Sequence, residues 1–154
     1  MPVKPLSASV LICERVLQEK DGVLTLVRVA DLFHALPPKS EADYSIVEMR
    51  LVITCKFPTS DLSEHLVEVK LKRPDGNVLS ANLSTNGSPF RINLGILPIP
   101  PIEGVPRGFT IALPWGVKAL LTGLHEVMLL TDGEHVASYF FMLLLDATKL
   151  DDAV

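Results

Sequence analysis

The stretch VEVKLKRPDGNVLSANL, residues 67–83, alternates apolar and polar residues on both sides of a proline-aspartate-glycine turn. Pro74 fits the first central position of a type I turn, and Gly76 fits the left-handed position of a G1 bulge. The resulting three-residue loop pairs Arg73 with Asn77, whereas a slip by one residue would set apolar residues against polar ones along the ladder. The predicted β-hairpin therefore places Leu71 opposite Leu79, Val69 opposite Ala81 and Val67 opposite Leu83.

A second Asp-Gly pair, at residues 21–22, also lies between extended apolar runs, which is a strong hairpin signal. A three-residue loop at 20–22 sets Glu14 opposite Arg28. Opposite charges across a ladder favour this register by about a few tenths of a kcal/mol. The sequence thus predicts a second hairpin with the same loop length.

The third Asp-Gly pair lies inside VMLLTDGEHVASYFF, residues 127–141. A two-residue turn at 132–133 pairs Leu130 with His135, and places His125 and His135 on opposite faces of the sheet about 17 Å apart. These two histidines are therefore not expected to share a metal. The inward face is predicted to comprise Val127, Leu129, Val136 and Phe140, and the solvent cluster at the turn to comprise Asp132, Glu134 and His135.

The segment YSIVEMRLVITCKF, residues 44–57, alternates over its whole length and predicts a half-buried strand of about a dozen residues. Cys55 lies on the apolar face, where a cysteine usually acts as a small core hydrophobe. The face is predicted to consist of Val47, Met49, Leu51, Ile53, Cys55 and Phe57.

The segment GILPIPPIEGVPRG, residues 95–108, is too rich in proline for a helix or a central strand and predicts a connecting loop. It is followed by an alternating segment with Phe109, Ile111 and Leu113 on one face. The stretch 115–124 has no clear type. A single helical turn is expected near residue 61, because Asp61 and Glu64 have the spacing of a capping pair.

These segments predict an all-β fold: an antiparallel β-sandwich resembling the immunoglobulin architecture, with about six to nine strands and little helix. A partly open barrel is the alternative. The length of 154 residues suits one domain, predicted to span 1–148 and to be followed by a flexible C-terminal tail at 149–154.

The formal net charge of −4 and the scattered basic residues argue against a nucleic-acid partner, which needs clustered Lys and Arg. No segment approaches the roughly 18 uninterrupted apolar residues of a membrane span, and no signal peptide is recognisable. We therefore expect a cytoplasmic protein with reduced thiols at its two cysteines, Cys13 and Cys55.

Motifs of known chemistry do not stand out in the sequence. There is no GxSxG nucleophile elbow, no phosphate-binding glycine loop and no zinc-finger spacing. Catalytic residues, metal ligands and cofactors are not predicted, although distant residues could still assemble a Ser-His-Asp site. Calcium binding would need several carboxylates to converge on one ion, and Asp61, Glu64 and Glu103 could join the hairpin tips for that purpose.

A binding surface for a partner is the remaining possibility. The predicted contact residues lie in and after the proline-rich segment: Ile102, Arg107 and Trp115. Tryptophan is enriched at binding hot spots, but Trp115 could instead close one end of the core. Exposed sheet edges offer another route, because an extended segment of a partner can add to them as a strand.

The stretches LICERVLQEKDGVLTLVRVADLF, VEVKLKRPDG and HEVMLLTDGEHVASYFFML together resemble a group of small bacterial proteins classed as a domain of unknown function. Members of that group open with a Cys-Asp or Cys-Glu strand and close with an Asp-Gly hairpin. Cys13-Glu14 and Asp132-Gly133 match these two positions. The resemblance implies a bacterial β-sandwich and brings no catalytic residues.

The leading hypothesis from the sequence is a non-enzymatic all-β module that recognises another protein or a second copy of itself, without nucleic acid or membrane. The alternative is a small-ligand-binding sandwich, for a carbohydrate or calcium, that uses loop 95–116 and the hairpin tips. An enzyme ranks third, since it would require a histidine to meet a nucleophile and a carboxylate in a pocket.

Overall fold

The computed structural model describes residues 3–20, 23–29, 31–35, 46–80, 90–97, 100–118 and 121–145, and within them the chain forms strands almost throughout. The only helical element among these described residues is one short 3₁₀ turn, Leu94–Ile96. The strands are β1 (Ser7–Gln18), β2 (Leu24–Val29), β3 (Leu32–Ala35), β4 (Ile46–Phe57), β5 (Glu64–Lys72), β6 (Val78–Ser80), β7 (Phe90–Asn93), β8 (Arg107–Lys118), β9 (Gly123–Thr131) and β10 (Glu134–Leu145).

The strands form two sheets. One has the order β2-β1-β4-β8, and the other has the order β3-β10-β9-β5-β6, with β7 also paired to β5. All these pairings are antiparallel except β3 with β10, which is parallel. The neighbours β1-β4-β8 and β10-β9-β5-β6 follow the A-B-E and G-F-C-C′ orders of an immunoglobulin sandwich. The predicted all-β sandwich of this architecture is confirmed.

The described residues contain ten strands rather than six to nine. Three of them, β3, β6 and β7, have only four, three and four residues. Alternation of apolar and polar residues is hard to recognise in strands this short, because the pattern becomes clear only over about four to eight residues. The predicted tail at 149–154 lies outside the described residues, and the domain boundary at 148 stays a prediction.

Both predicted three-residue hairpin loops have the expected register. Leu71 pairs with Leu79, and the amide of Arg73 donates to the carbonyl of Asn77 at 2.9 Å. The left-handed backbone of Gly76 (φ +86°) is the one that the G1 bulge requires. In the first hairpin, the amide of Glu19 donates to the carbonyl of Val23 at 2.8 Å, and the flanking pairs place Glu14 opposite Arg28. Residues 81–83 of the middle hairpin and Asp21-Gly22 of the first lie outside the described part.

The third hairpin has the predicted turn but not the predicted face. Asp132 (φ +52°) and Gly133 (φ +81°) are its central residues, and His135 pairs with Leu130 as expected. A β-bulge between His135 and Ala137 then shifts the register by one residue. As a result Phe140 is exposed (52%) and Phe141 is buried (1%), so the prediction that Phe140 faces the core was wrong.

The core lies between the two sheets. The alternating residues of β4 from Met49 to Phe57 face it, as predicted, and Cys55 is fully buried. The side chain of Val47, predicted on the same face, lies outside the described part. Burial raises the pKa of the Cys55 thiol to about 11, so this cysteine is a core residue and not a nucleophile. The opposing sheet contributes Val67, Val69, Leu71, Val127, Leu129, Phe141 and Leu143.

The predicted helical turn near residue 61 does not form. Glu64 begins β5, and Asp61 instead accepts a hydrogen bond from the amide of Ser63 at 3.0 Å. Aspartate often closes a turn in this way, two residues before its donor. The spacing that suggested a capping pair therefore belongs to the turn that leads into β5.

Candidate functional site

A groove lies beside the first half of β8, where the proline-rich loop 100–106 reaches the strand. Its volume is about 450 Å³. The loop is fixed by an internal turn, in which the amide of Val105 donates to the carbonyl of Ile102, and by the Thr59 hydroxyl, which donates to the carbonyl of Val105. The lining residues are Lys56, Leu97, Pro100, Ile102, Val105, Pro106, Arg107, Gly108, Phe109 and Thr110.

The groove is bordered by an exposed apolar surface. Ile102 and Val105, which both line the groove, are 56% and 49% exposed. A group of exposed apolar side chains beside a groove is typical of a binding surface, because monomers seldom expose large contiguous apolar patches. We call Ile102, Val105 and the groove the loop surface.

The three predicted contact residues do not lie together. Ile102 and Arg107 both line the groove, but Arg107 is only 8% exposed. Trp115 is 7% exposed and belongs to the core cluster. A partner at the loop surface can therefore meet Ile102 directly, whereas Trp115 has the core role that was the other interpretation of its sequence.

The position of Trp115 could have been found from the sequence. Phe109, Ile111 and Leu113 were predicted on one face, and Trp115 continues the same alternation. In a strand, residues two apart face the same side. This continuation was missed because the stretch 115–124 was given no structural type. In the structure, β8 extends through Trp115 to Lys118.

A buried network of two aspartates and a histidine connects three segments in the other sheet. The ring nitrogens of His65, on β5, lie 2.6 Å from Asp61 Oδ2 and 2.6 Å from Asp132 Oδ2. The Ser63 hydroxyl donates to Asp61 Oδ1, and the amide of Leu66 donates to Asp132 Oδ1. The His65 ring also stacks on Phe57 with a centroid distance of 4.1 Å. We call Asp61, Ser63, His65 and Asp132 the His65 network.

The charges in the His65 network follow from its hydrogen bonds. Burial alone would lower the pKa of His65, but the hydrogen bonds to Asp132 and Asp61 outweigh burial and raise that pKa. Burial would raise the pKa of Asp61, but hydrogen bonds from Ser63 and His65 lower it. Both ring nitrogens therefore donate, and the ring is an imidazolium held between two carboxylates.

This arrangement does not activate a nucleophile. A serine nucleophile needs a neutral ring nitrogen that can accept its proton. In the His65 network, the Ser63 hydroxyl donates to Asp61, and Nε2 of His65, 3.3 Å away, is already a donor to the same aspartate. His65 is 1% exposed, so no substrate reaches it without unfolding of the turn. The network is built to stabilise the fold.

A second histidine–serine–carboxylate cluster lies on the surface of the third hairpin. The Ser138 hydroxyl donates to Glu126 Oε2 at 2.6 Å, and Nε2 of His135 lies 2.6 Å from the same hydroxyl oxygen and 3.0 Å from the carbonyl of Ala137. Since the serine proton goes to glutamate, Nε2 is the donor to Ser138 and Ala137. The order of donors is thus opposite to that of a serine nucleophile and its base.

The turn at Asp132 was only partly understood from the sequence. Asp132 was expected in a solvent cluster with Glu134 and His135, but its carboxylate points back to His65 and Leu66. The position of a turn can be recognised from Asp-Gly, whereas a contact with a residue 67 positions away cannot. His125 and His135 are indeed separate: His125 is buried and stacks on Phe141, and His135 is exposed.

Several of the carboxylates considered for calcium have internal partners, among them Glu64, which accepts from Arg91. Asp61 and Asp132 belong to the His65 network, and Asp75 at the middle hairpin tip accepts from Arg73 and from the amide of Asn77. Among the described residues, no three His, Cys, Asp or Glu side chains are grouped as a metal site.

Other cavities border the sheets. One of about 820 Å³ lies between the first hairpin and the residues Thr110 to Leu113 of β8. Another of about 440 Å³ lies beside Arg73 and His125. The His125 Nδ1 donates to the carbonyl of Gly123 at 3.0 Å, and burial lowers the pKa of this histidine, so its ring is neutral.

The described residues include no helix with the length and apolar character of a membrane span.

No family model and no curated protein matches the sequence. Among solved structures, the chain is similar to an alkylpurine DNA glycosylase of Pseudomonas fluorescens bound to DNA (13% identity, TM-score 0.43), with 92% of this chain covering 30% of that one. It is also similar to an immunoglobulin-like protein of Pseudomonas aeruginosa (9% identity, 94% and 98% covered, TM-score 0.39). A third similar structure is the CooA pilin subunit of enterotoxigenic Escherichia coli (13% identity, 88% and 99% covered, TM-score 0.36).

Proposed function

We propose that this protein is a non-enzymatic binding module whose partner is a protein segment that lies along the loop surface and β8. The observation that carries this proposal is the meeting of an exposed apolar loop, a groove and a long sheet edge at one place. Protein interfaces combine an apolar centre with backbone and polar contacts around it, and this place offers both.

The edge of β8 supports the proposal independently of the groove. No strand of the described residues pairs with β8 on the side away from β4. At twelve residues, β8 is longer than the other edge strands β2, β3 and β6. An unpaired edge presents N–H and C=O groups that an extended partner segment can bind.

The non-enzymatic part of the proposal is supported by the two histidine clusters. In each of them the serine proton is donated to a carboxylate, so the histidine does not serve as its base. The free and buried thiols of Cys13 and Cys55 support a reducing compartment such as the bacterial cytoplasm.

The test compares two substitutions of equally exposed apolar residues. Ile102→Asp places a charge in the loop surface, and Leu124→Asp places one on the other sheet, where the side chain is 53% exposed. A protein captured in stoichiometric amount by the wild type should be lost with Ile102→Asp and retained with Leu124→Asp. Capture that both variants lose equally, or both retain, would contradict the proposed surface.

A small-ligand role is the second candidate, and the groove volume of about 450 Å³ favours it. Ligand pockets commonly have volumes in the range of roughly 300–1,000 Å³. A rise in Tm with calcium or with a sugar panel, abolished by Ile102→Asp, would favour a ligand over a protein segment.

A further inference from the structure

We infer that the partner of β8 is a second copy of this chain, paired with it antiparallel along the outer edge, which no other described strand pairs, with Thr110 on the two-fold axis. This inference rests on the proposed function, since it names the partner of the same surface. A two-fold pair needs an edge that is complementary to itself. The edge of β8 meets this requirement in three respects: the direction of its backbone groups, the position of its prolines and the distribution of its charge.

The direction of the backbone groups follows from one hydrogen bond. The amide of Leu6, just before β1, donates to the carbonyl of Lys56, so Lys56 points towards β1. Successive residues of a strand point to alternate sides, hence Cys55 and Phe57 point towards β8. Their register partners Phe109 and Arg107 point back to β4. The alternate residues of β8, which include Thr110, Ala112 and Pro114, therefore direct their backbone groups to the outer edge, away from β4.

A proline lies at each end of this outer edge, at equal distances from Thr110. Pro114 has no N–H to donate and lies among the outward residues, where proline is tolerated in an edge strand. Pro106 lies at the other end, and both prolines are four residues from Thr110. In a pair centred on Thr110, Pro106 of one copy faces Pro114 of the other. The ladder between them is about six hydrogen bonds long. It ends at a pair of prolines, neither of which has an N–H that would need an acceptor.

The charge distribution also permits self-pairing. The segment GFTIALPWGV, residues 108–117, contains no charged residue. Edges that must stay single usually carry charged residues, above all lysine, which oppose pairing with a second copy. Two copies of this segment meet without repulsion between like charges, and Thr110 faces Thr110 with an exposed side chain.

The loop surface supplies the additional area that an edge contact needs. Backbone pairing alone buries less than the roughly 1,000 Å² of a stable interface. Because Pro106 of one copy faces Pro114 of the other, loop 100–106 of each copy lies near the end of the partner strand. Burial of Ile102 and Val105 there would contribute the apolar part of the contact.

The first experiment is sedimentation equilibrium of the full chain with Thr110→Lys, Thr110→Glu and an equimolar mixture of the two. The wild type should form dimers. Each single variant places like charges opposite each other at the axis and should dimerise at least about tenfold more weakly. The mixture should recover dimers. Thr54→Lys is the matched control: Thr54 is the cross-strand partner of Thr110 and shares its hydroxyl hydrogen bond, but it lies on β4, away from the edge.

The second experiment does not depend on weakened association. Thr110→Cys should form a disulfide-linked dimer under mild oxidation, because directly opposed residues of a ladder lie within disulfide reach. Thr54→Cys should remain monomeric on denaturing gels, and the native cysteines are buried.

A wild type that stays monomeric up to roughly 1 mM would overturn the inference. So would a mixture that fails to restore dimers, or equal cross-linking by Thr54→Cys. These outcomes are separable from failure of the proposed function. A monomer that still captures a partner through Ile102 keeps the binding module and refutes the second copy as that partner.

Discussion

At the scale of single residues, His65 and Asp61 make stability depend on pH in opposite directions. The folded-state pKa of His65 lies above its usual 6.5, so its contribution is fully present below pH 6.5 and is lost as pH rises through the folded value. The folded-state pKa of Asp61 lies below its usual 3.8, so its contribution is present above pH 3.8 and is lost as pH falls through the folded value. The network is strongest between these limits.

We predict that the free energy of unfolding in urea, measured from pH 3 to pH 9, falls on both sides of this window. His65→Gln should cost about 3–5 kcal/mol at pH 6, because it leaves Asp61 buried without a charged partner. It should also remove the decrease at alkaline pH. Asp132→Asn, which keeps the shape of the side chain, should move that decrease to lower pH. An unchanged alkaline decrease in His65→Gln would assign it to another group.

A second prediction at this scale concerns Gly108. A β-carbon at this position would lie 1.8 Å from the carbonyl oxygen of Cys55, which is backbone and cannot move aside. Gly108→Ala should therefore destabilise the protein by about 3 kcal/mol or more. Gly133→Ala is the control, because it has a positive φ but open space around it, and it should cost only about 1–2 kcal/mol. Thermal unfolding of the two variants checks the order.

At the scale of elements, the β-bulge in β10 separates what the sequence can predict from what it cannot. The Asp-Gly pairs correctly predicted the position of all three hairpins, because turn geometry restricts the residues at a few adjacent positions. The bulge has no comparable signal: YFF at 139–141 is apolar at every position, so a shift by one residue leaves the pattern equally plausible. The face of the second half of β10 was consequently assigned one residue out of place.

The bulge leads to a clear difference between two adjacent phenylalanines. Phe141→Ala should cost about 3–5 kcal/mol, because Phe141 is buried and packs against Phe33 and His125. Phe140→Ala should change stability by less than about 1 kcal/mol, since its side chain is half exposed. Chemical denaturation of both variants provides the measurement. Equal losses would contradict the shifted register.

At the scale of the whole molecule, the two sheets were predictable and the His65 network was not. Alternation along β4 and around the hairpins is a local property and indicates a sandwich. Asp61, His65 and Asp132 lie on the β4–β5 loop, β5 and the β9–β10 turn, so they meet only after β5 and β9 have paired. The loop surface was located in part, because proline density marks the loop but does not reveal which of its neighbours are buried.

Net charge gives a further prediction at this scale. Each copy carries a formal charge of −4, so two copies repel each other over long distances even though the edge of β8 is uncharged. The Debye length falls from about 30 Å at 0.01 M salt to about 10 Å at 0.1 M. Dimerisation measured by sedimentation should therefore strengthen as salt rises through this range. Weakening with salt would indicate that the contact depends on ion pairs.

The parallel pair of β3 and β10 has a consequence for how the protein is made. Leu32 of β3 pairs with Met142 of β10, and Phe33 packs edge-on against Phe141. Contacts between residues so distant in sequence form slowly, because a long chain must close before they stabilise anything. While β10 is still inside the ribosome, β3 lacks the one described strand that pairs with it, and β9 lacks one of its two. The second sheet of the sandwich can therefore close only after translation has passed residue 145, and until then its unpaired strand edges are exposed to aggregation.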